Sequence, residues 1–105
     1  MSLEAIGEYV CDVDEMADGT SRLVPGDPPA VLFRVDGQFY ATHEWCSHEE
    51  WSLAEDSDVI GFEVECGLHL ARFDIRTGQA TCLPATKPIT TYRVTVTDSK
   101  VYLDR

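Results

Sequence analysis

A chain of 105 residues and 11.7 kDa, with 44% hydrophobic side chains and a formal net charge of -11 from 19 acidic against 8 basic residues, describes one small acidic globular domain. The acidity argues against a sequence-independent binder of nucleic acid, which needs an excess of Lys and Arg to displace counterions from phosphates, and no apolar run approaches the ~20 residues that cross a bilayer. A chain of this size buries only about 60 to 68% of its unfolded surface, so its stability is thin and a metal or cofactor staple would help.

Residues 1–5 carry no basic region followed by an apolar core, so no signal peptide is expected and the chain is assigned to the cytoplasm. In that compartment thiols stay reduced, and four cysteines are metal ligands or buried side chains rather than disulfides.

In chain order, residues 8–11 and 20–24 read as short strands around a loop containing Asp18-Gly19, with one helical turn expected within 12–17. The Pro- and Gly-rich stretch 25–29 is a turn. Residues 30–35 and 38–42 are β-prone runs joined by Asp36-Gly37, a strong hairpin signal. Residues 62–65 alternate apolar and acidic, 72–76 alternate again and end at Thr77-Gly78, and 91–97 turn through Asp98-Ser99-Lys100 into 101–103. Short strands at such spacing predict an all-β fold, an antiparallel sandwich or barrel formed by a single domain over 1–105. Two stretches depart from the alternation, 43–58 and 66–70, each directly after a strand. Loops on a rigid β scaffold are where binding and redox chemistry concentrate.

These loops hold Cys46-Ser47-His48 and Cys66-Gly67-Leu68-His69, with seventeen residues between His48 and Cys66. Two thiolates and two imidazoles could hold a tetrahedral zinc, although zinc sites more often pair like ligands at short spacing. One Cys and one His from each loop also suits a 2Fe-2S centre in which one iron takes both sulfurs and the other both nitrogens.

Cys-x-His followed by Cys-x2-His resembles the Rieske iron-sulfur signature. Residues 39–42, Trp51-Ser52-Leu53 and 65–78 extend the similarity to the small Rieske ferredoxins of bacterial aromatic-ring-hydroxylating dioxygenase systems. The resemblance implies a strand sandwich with a small cluster-binding subdomain whose two loops lie within 43–70. It implies one Rieske 2Fe-2S cluster with Cys46 and Cys66 on the buried iron and His48 and His69 on the outer one. It also implies a monomeric one-electron carrier between a flavin-dependent ferredoxin reductase and a terminal oxygenase, without nucleic-acid or membrane partners. A nitrite reductase small subunit or a monooxygenase ferredoxin would share the cluster chemistry, and a structural zinc domain would not. The chain is not itself the oxygenase, whose mononuclear iron needs two further His and a carboxylate; only His43 is left over.

Within the resemblance, Glu49 stands where Gly is usual, Gly67 where many members have Pro, and Ala71 where Gly is common. The high-potential relatives bridge their loops with two more cysteines and bond the cluster through Ser and Tyr hydroxyls. Here those positions read Trp51 and Leu68, and Ala71 and Phe73. Loss of these groups predicts the low end of the Rieske range of about -150 to +300 mV.

Eight acids, Glu44, Glu49, Glu50, Glu55, Asp56, Asp58, Glu63 and Glu65, and no Lys or Arg, lie between His43 and Glu65. They read either as a solvated face or as an acidic rim that steers the site onto basic partners. Cys11 and Cys82 are expected as buried thiols, His43 as a packing or surface residue, Trp45 and Trp51 as shields of the cluster, and Arg72 as a balance for nearby acids.

Overall fold

A computed structural model describes residues 7–45, 52–53, 57–66, 71–82 and 87–105. Its strands are β1 (Glu8–Asp12), β2 (Thr20–Val24), β3 (Ala30–Val35), β4 (Gln38–His43), β5 (Ser57–Ile60), β6 (Glu63–Cys66), β7 (Arg72–Asp74), β8 (Ala80–Cys82), β9 (Thr91–Thr97) and β10 (Lys100–Asp104), with one 3-10 turn at Val13–Glu15. All strand pairs are antiparallel. They form a six-stranded sheet in the order β1-β10-β9-β4-β3-β2 and a four-stranded sheet in the order β5-β6-β7-β8. Among the described residues no helix is long and apolar enough to cross a membrane.

The hairpins close where turn chemistry demands. Asp36 and Gly37 both take positive φ, 55° and 77°, so the two-residue turn between Val35 and Gln38 has the twist that antiparallel strands require. Asp98 and Ser99 repeat that geometry at 53° and 61° between Thr97 and Lys100.

The large sheet curls. Strands at both of its ends, β1 through Cys11 and β2 through Val24, share one buried cluster with Ala30, Leu32, Phe39, Ala41, Val101 and Leu103. A bulge in β1 leaves Val10 without a register partner, which lets two successive side chains, Val10 and Cys11, pack inward. β9 makes the bend: Thr91 and Tyr92 pair with β4, whereas 93–97 pair with β10. The Arg105 guanidinium fastens the curl by donating to the carbonyls of Val24, Pro25 and Pro28. Arg34 donates likewise to the carbonyls of Val13 and Met16, holding the 3-10 turn against β3.

β3 is buried on both faces. Ala30 and Leu32 enter the cluster inside the curl, while Val31, Phe33 and Val35 enter a second cluster with Leu53, Val64, Cys66, Ala71, Phe73, Ile75 and Ile89. That explains its nearly unbroken apolar sequence, since a strand covered on one side only would alternate. The second cluster joins the small sheet to the large one: the curled six-stranded sheet answers to the expected sandwich, and the four-stranded sheet to the small subdomain.

Boundaries shift at several points. Phe62 and Ile75 lie in turns, not in strands, and β5 escaped the sequence reading. Ser57–Ile60 offers little apolar signal and is held by main-chain pairing to β6. β8 is only three residues long. The expected helical turn within 12–17 narrows to Val13–Glu15.

Candidate metal centre

The first loop leaves β4 after His43 and returns at Ser52, and its neck is tied at several points. Trp45 and Ser52 face each other in an isolated antiparallel bridge. The Leu53 amide donates to the Glu44 carbonyl at 2.8 Å, and the Ser52 hydroxyl donates to Glu44 Oε2 at 2.6 Å. On the other side the Glu44 amide reaches the Pro29 carbonyl at 3.2 Å, next to the start of β3. His43 Nδ1 accepts the Trp45 amide at 3.2 Å. Through that bond His43 braces the neck, in line with the packing or surface role expected of it. The Ser57 hydroxyl donates to the Leu53 carbonyl, fixing the path into β5.

The second loop is shorter in sequence. It leaves β6 at Cys66 and rejoins at Ala71, and the Cys66 amide donates to the Ala71 carbonyl at 2.7 Å across its base. Cys66 and Ser57 are register partners, so the strand that follows the first loop begins beside the residue that opens the second. Leu53, Cys66 and Ala71 are buried in the same cluster. Leu53 from the first neck and Cys66 and Ala71 from the second therefore share one apolar floor.

Of the four ligands expected from the sequence, Cys66 falls among the described residues. It is 2% exposed and not in a disulfide. A sulfur donor in apolar surroundings at the base of a loop fits an iron held away from water. Cys46, His48 and His69, with Trp51, lie outside the described residues, as does the side chain of Cys82. Trp45, expected as a shield of the cluster, is 38% exposed. Cys11 is buried as expected, and burial pushes its thiol up from the ordinary range.

Ala71 and Phe73, where the high-potential relatives bear hydroxyls, are fully buried and bring no polar side-chain atom to the floor.

The acid count thins out in space. Glu44 is buried, at 6% exposure, and belongs to the neck rather than to a rim. Glu65 and Glu63 are met by Arg72 from the neighbouring strand, at 2.9 and 3.6 Å. Arg72 thus balances acids, as expected. Asp74, at the far end of β7, takes a two-pronged contact from Arg76, which holds its carboxyl below the usual range; main-chain amides of Arg76 and Thr77 add to this. Asp58 faces solvent opposite Glu65. Glu49, Glu50, Glu55 and Asp56 lie outside the described residues. The sequence reading missed the latch between Glu44 and Ser52. A lone acid eight positions from a serine carries no pattern that marks it.

Comparison with known proteins agrees with this geometry. The Rieske 2Fe-2S domain family matches residues 8–93. The chain is similar to the 3-phenylpropionate/cinnamic acid dioxygenase ferredoxin subunit of Photorhabdus laumondii, with 45% identity over 95 residues covering 90% of each chain. It is also similar to the ferredoxin component of the p-cumate 2,3-dioxygenase system of Pseudomonas putida, with 40% identity over 97 residues, 90% of this chain and 82% of that one. Among solved structures it resembles a chain in the complex of reduced oxygenase and oxidized ferredoxin in carbazole 1,9a-dioxygenase. There the TM-score is 0.88 and the identity 36%, over 91% of this chain and 99% of the other.

Proposed function

The chain belongs to the Rieske 2Fe-2S domain family, as a ferredoxin component of the kind found in aromatic-ring dioxygenase systems, and from that premise we propose that Cys46, His48, Cys66 and His69 hold its single cluster. In this reading all of 1–105 serves as one domain, and the two cysteines take the inner iron and the two histidines the outer one. The observation that supports the assignment is the pairing of Ser57 with Cys66 and the shared floor of Leu53, Cys66 and Ala71, which brings an end of the first loop together with both ends of the second.

Such a cluster, when bound, takes up and gives back one electron at a time. The protein's own part is to hold the loops and control their surroundings. Its neck hydrogen bonds fix the first loop, the bond from Cys66 to Ala71 fixes the second, and the apolar floor keeps water from the sulfur side. Fixed geometry limits reorganisation on electron transfer. In this reading the outer iron, held by His48 and His69, is the side of the cluster that meets a partner.

The electron source in this reading is a cytoplasmic flavin-dependent reductase and the acceptor is a terminal oxygenase, with the chain acting as a monomeric shuttle. The ferredoxin in the carbazole dioxygenase complex, seen with its oxygenase, supports that acceptor. In this reading the negative charge around the loops, with Asp58 exposed among the described residues, speeds encounter with basic patches. Transfer rates to a reconstituted oxygenase should therefore fall as salt rises, and flat rates would remove steering from the account.

The deciding experiment is iron and acid-labile sulfide analysis with visible and EPR spectra. Two irons and two sulfides per chain are expected, and His48→Ala or His69→Ala abolishes the native spectrum while His43→Ala keeps it. A colourless protein with one zinc and no sulfide would overturn the reading.

A further inference from the structure

The buried carboxylate of Glu44 is not among the expected ligands, yet among the described residues Glu44 takes part in three of the ties at the neck of the first loop. Its side chain accepts from Ser52 at 2.6 Å, its carbonyl accepts from the Leu53 amide at 2.8 Å, and its amide donates to Pro29 beside β3. A carboxylate so far from solvent is costly unless it is bonded. It lies two residues before Cys46, and its hydroxyl partner lies four residues after His48.

We propose that Glu44 is a positioning residue for electron transfer: with Ser52 it forms a side-chain latch that holds the first ligand loop closed and so sets the placement of Cys46 and His48. This rests on the cluster assignment above.

The main-chain pairing of Trp45 with Ser52 and of Glu44 with Leu53 would hold the neck even without the latch, so loss of the latch should loosen the loop without unfolding the sheet. A hydrogen bond to a charged group contributes about 1.5 to 3 kcal/mol, which converts to a change of about tenfold or more.

The test uses the full, cluster-loaded chain. The visible and EPR spectra of the unaltered protein are read first, and a colourless chain at that point sinks the cluster assignment rather than the latch. Glu44→Ala and Ser52→Ala are then each expected to speed cluster release to a chelator about tenfold and to broaden the EPR lines of the reduced cluster. The double variant should be no faster than either single one, because both remove the same bond. Glu44→Gln, whose amide oxygen still accepts from Ser52, should restore slow release and narrow lines.

Additive effects, or Glu44→Gln as labile as Glu44→Ala, would overturn the proposal. So would Ser52→Ala with a lowered melting temperature but unchanged release and EPR, which marks a purely structural contact. If Glu44→Ala does not fold, Ser52→Ala against Glu44→Gln carries the same decision.

Discussion

Leu53 is wholly buried at the point where the first loop rejoins the scaffold, on the floor that also holds Cys66 and Ala71. Cutting it back to Ala removes side-chain atoms from the cluster it shares with Cys66 and Ala71 and leaves a cavity in that floor. Buried Leu→Ala changes cost about 3 to 5 kcal/mol depending on how far the surroundings collapse. That is a large share of the roughly 5 to 15 kcal/mol that holds a domain of this size together. At about 4 to 8 °C per kcal/mol, a 3 kcal/mol loss lowers the melting temperature by roughly 12 to 24 °C. Leu103→Ala is the control, since Leu103 is equally buried but lies inside the curl of the large sheet. Both variants are melted with the cluster bound, followed by far-UV circular dichroism, and both are challenged with an iron chelator at room temperature. Similar falls in melting temperature are expected, but much faster loss of visible absorption for Leu53→Ala alone. Equal release from the two variants would refute the idea that Leu53 links the loops, and would leave it an ordinary core residue.

Gly78 takes φ of 82°, and an added Cβ would fall 2.0 Å from the Ile89 carbonyl oxygen, whereas Gly37 at 77° has open space around it. Gly37→Ala should cost about 1 to 2 kcal/mol from backbone strain, and Gly78→Ala clearly more, as judged by denaturant titration. The Asp74 carboxyl, depressed first of all by its hydrogen bond from Arg76, contributes stability that is present above the unfolded carboxylate range and lost as pH falls through the lower folded value. Acid melting of Asp74→Asn should therefore be shallower than that of the parent below the usual carboxylate range; identical pH profiles would contradict this. Ala71→Ser and Phe73→Tyr bring back hydroxyls where the high-potential relatives have them, and each should raise the reduction potential measured by spectroelectrochemistry. An unchanged or lowered potential in both would break that link.

Much of the fold was legible because its signals are local. Asp36-Gly37 marked a hairpin, and the apolar run of 30–35, broken only by Arg34, marked a strand, although not that both its faces would be covered. The division of ten strands among the described residues into two sheets was not legible, since it depends on β9 changing partners partway along. β5 stayed hidden because Ser57 and Asp58 are polar, and its order comes from backbone bonds to β6 that any side chain permits. The metal-ligand pattern was plain from residue type and spacing. Its surroundings were less so: counted along the chain, Glu44, Glu63 and Glu65 look like bare negative charge, but one is buried on a hydroxyl and two meet Arg72 across a strand. Linear charge counting cannot see a cation supplied by the next strand of a hairpin.

The pairing of β4 with β9 has a further consequence for how this chain is put together. Ala41 faces Tyr92, Thr42 faces Thr91, and the His43 amide donates to the Thr90 carbonyl. Everything from 44 to 89 therefore departs and comes back at neighbouring points of one antiparallel ladder, as an insert spliced into a hairpin. Topologically the insert is transplantable, because its two ends already sit at the spacing of adjacent strands in any host sheet. What resists excision is the surface left behind: without the insert, Val31, Phe33 and Val35 would present a bare apolar stripe to water. A graft must bring a matching stripe with it, and a deletion must repaint this one with polar side chains.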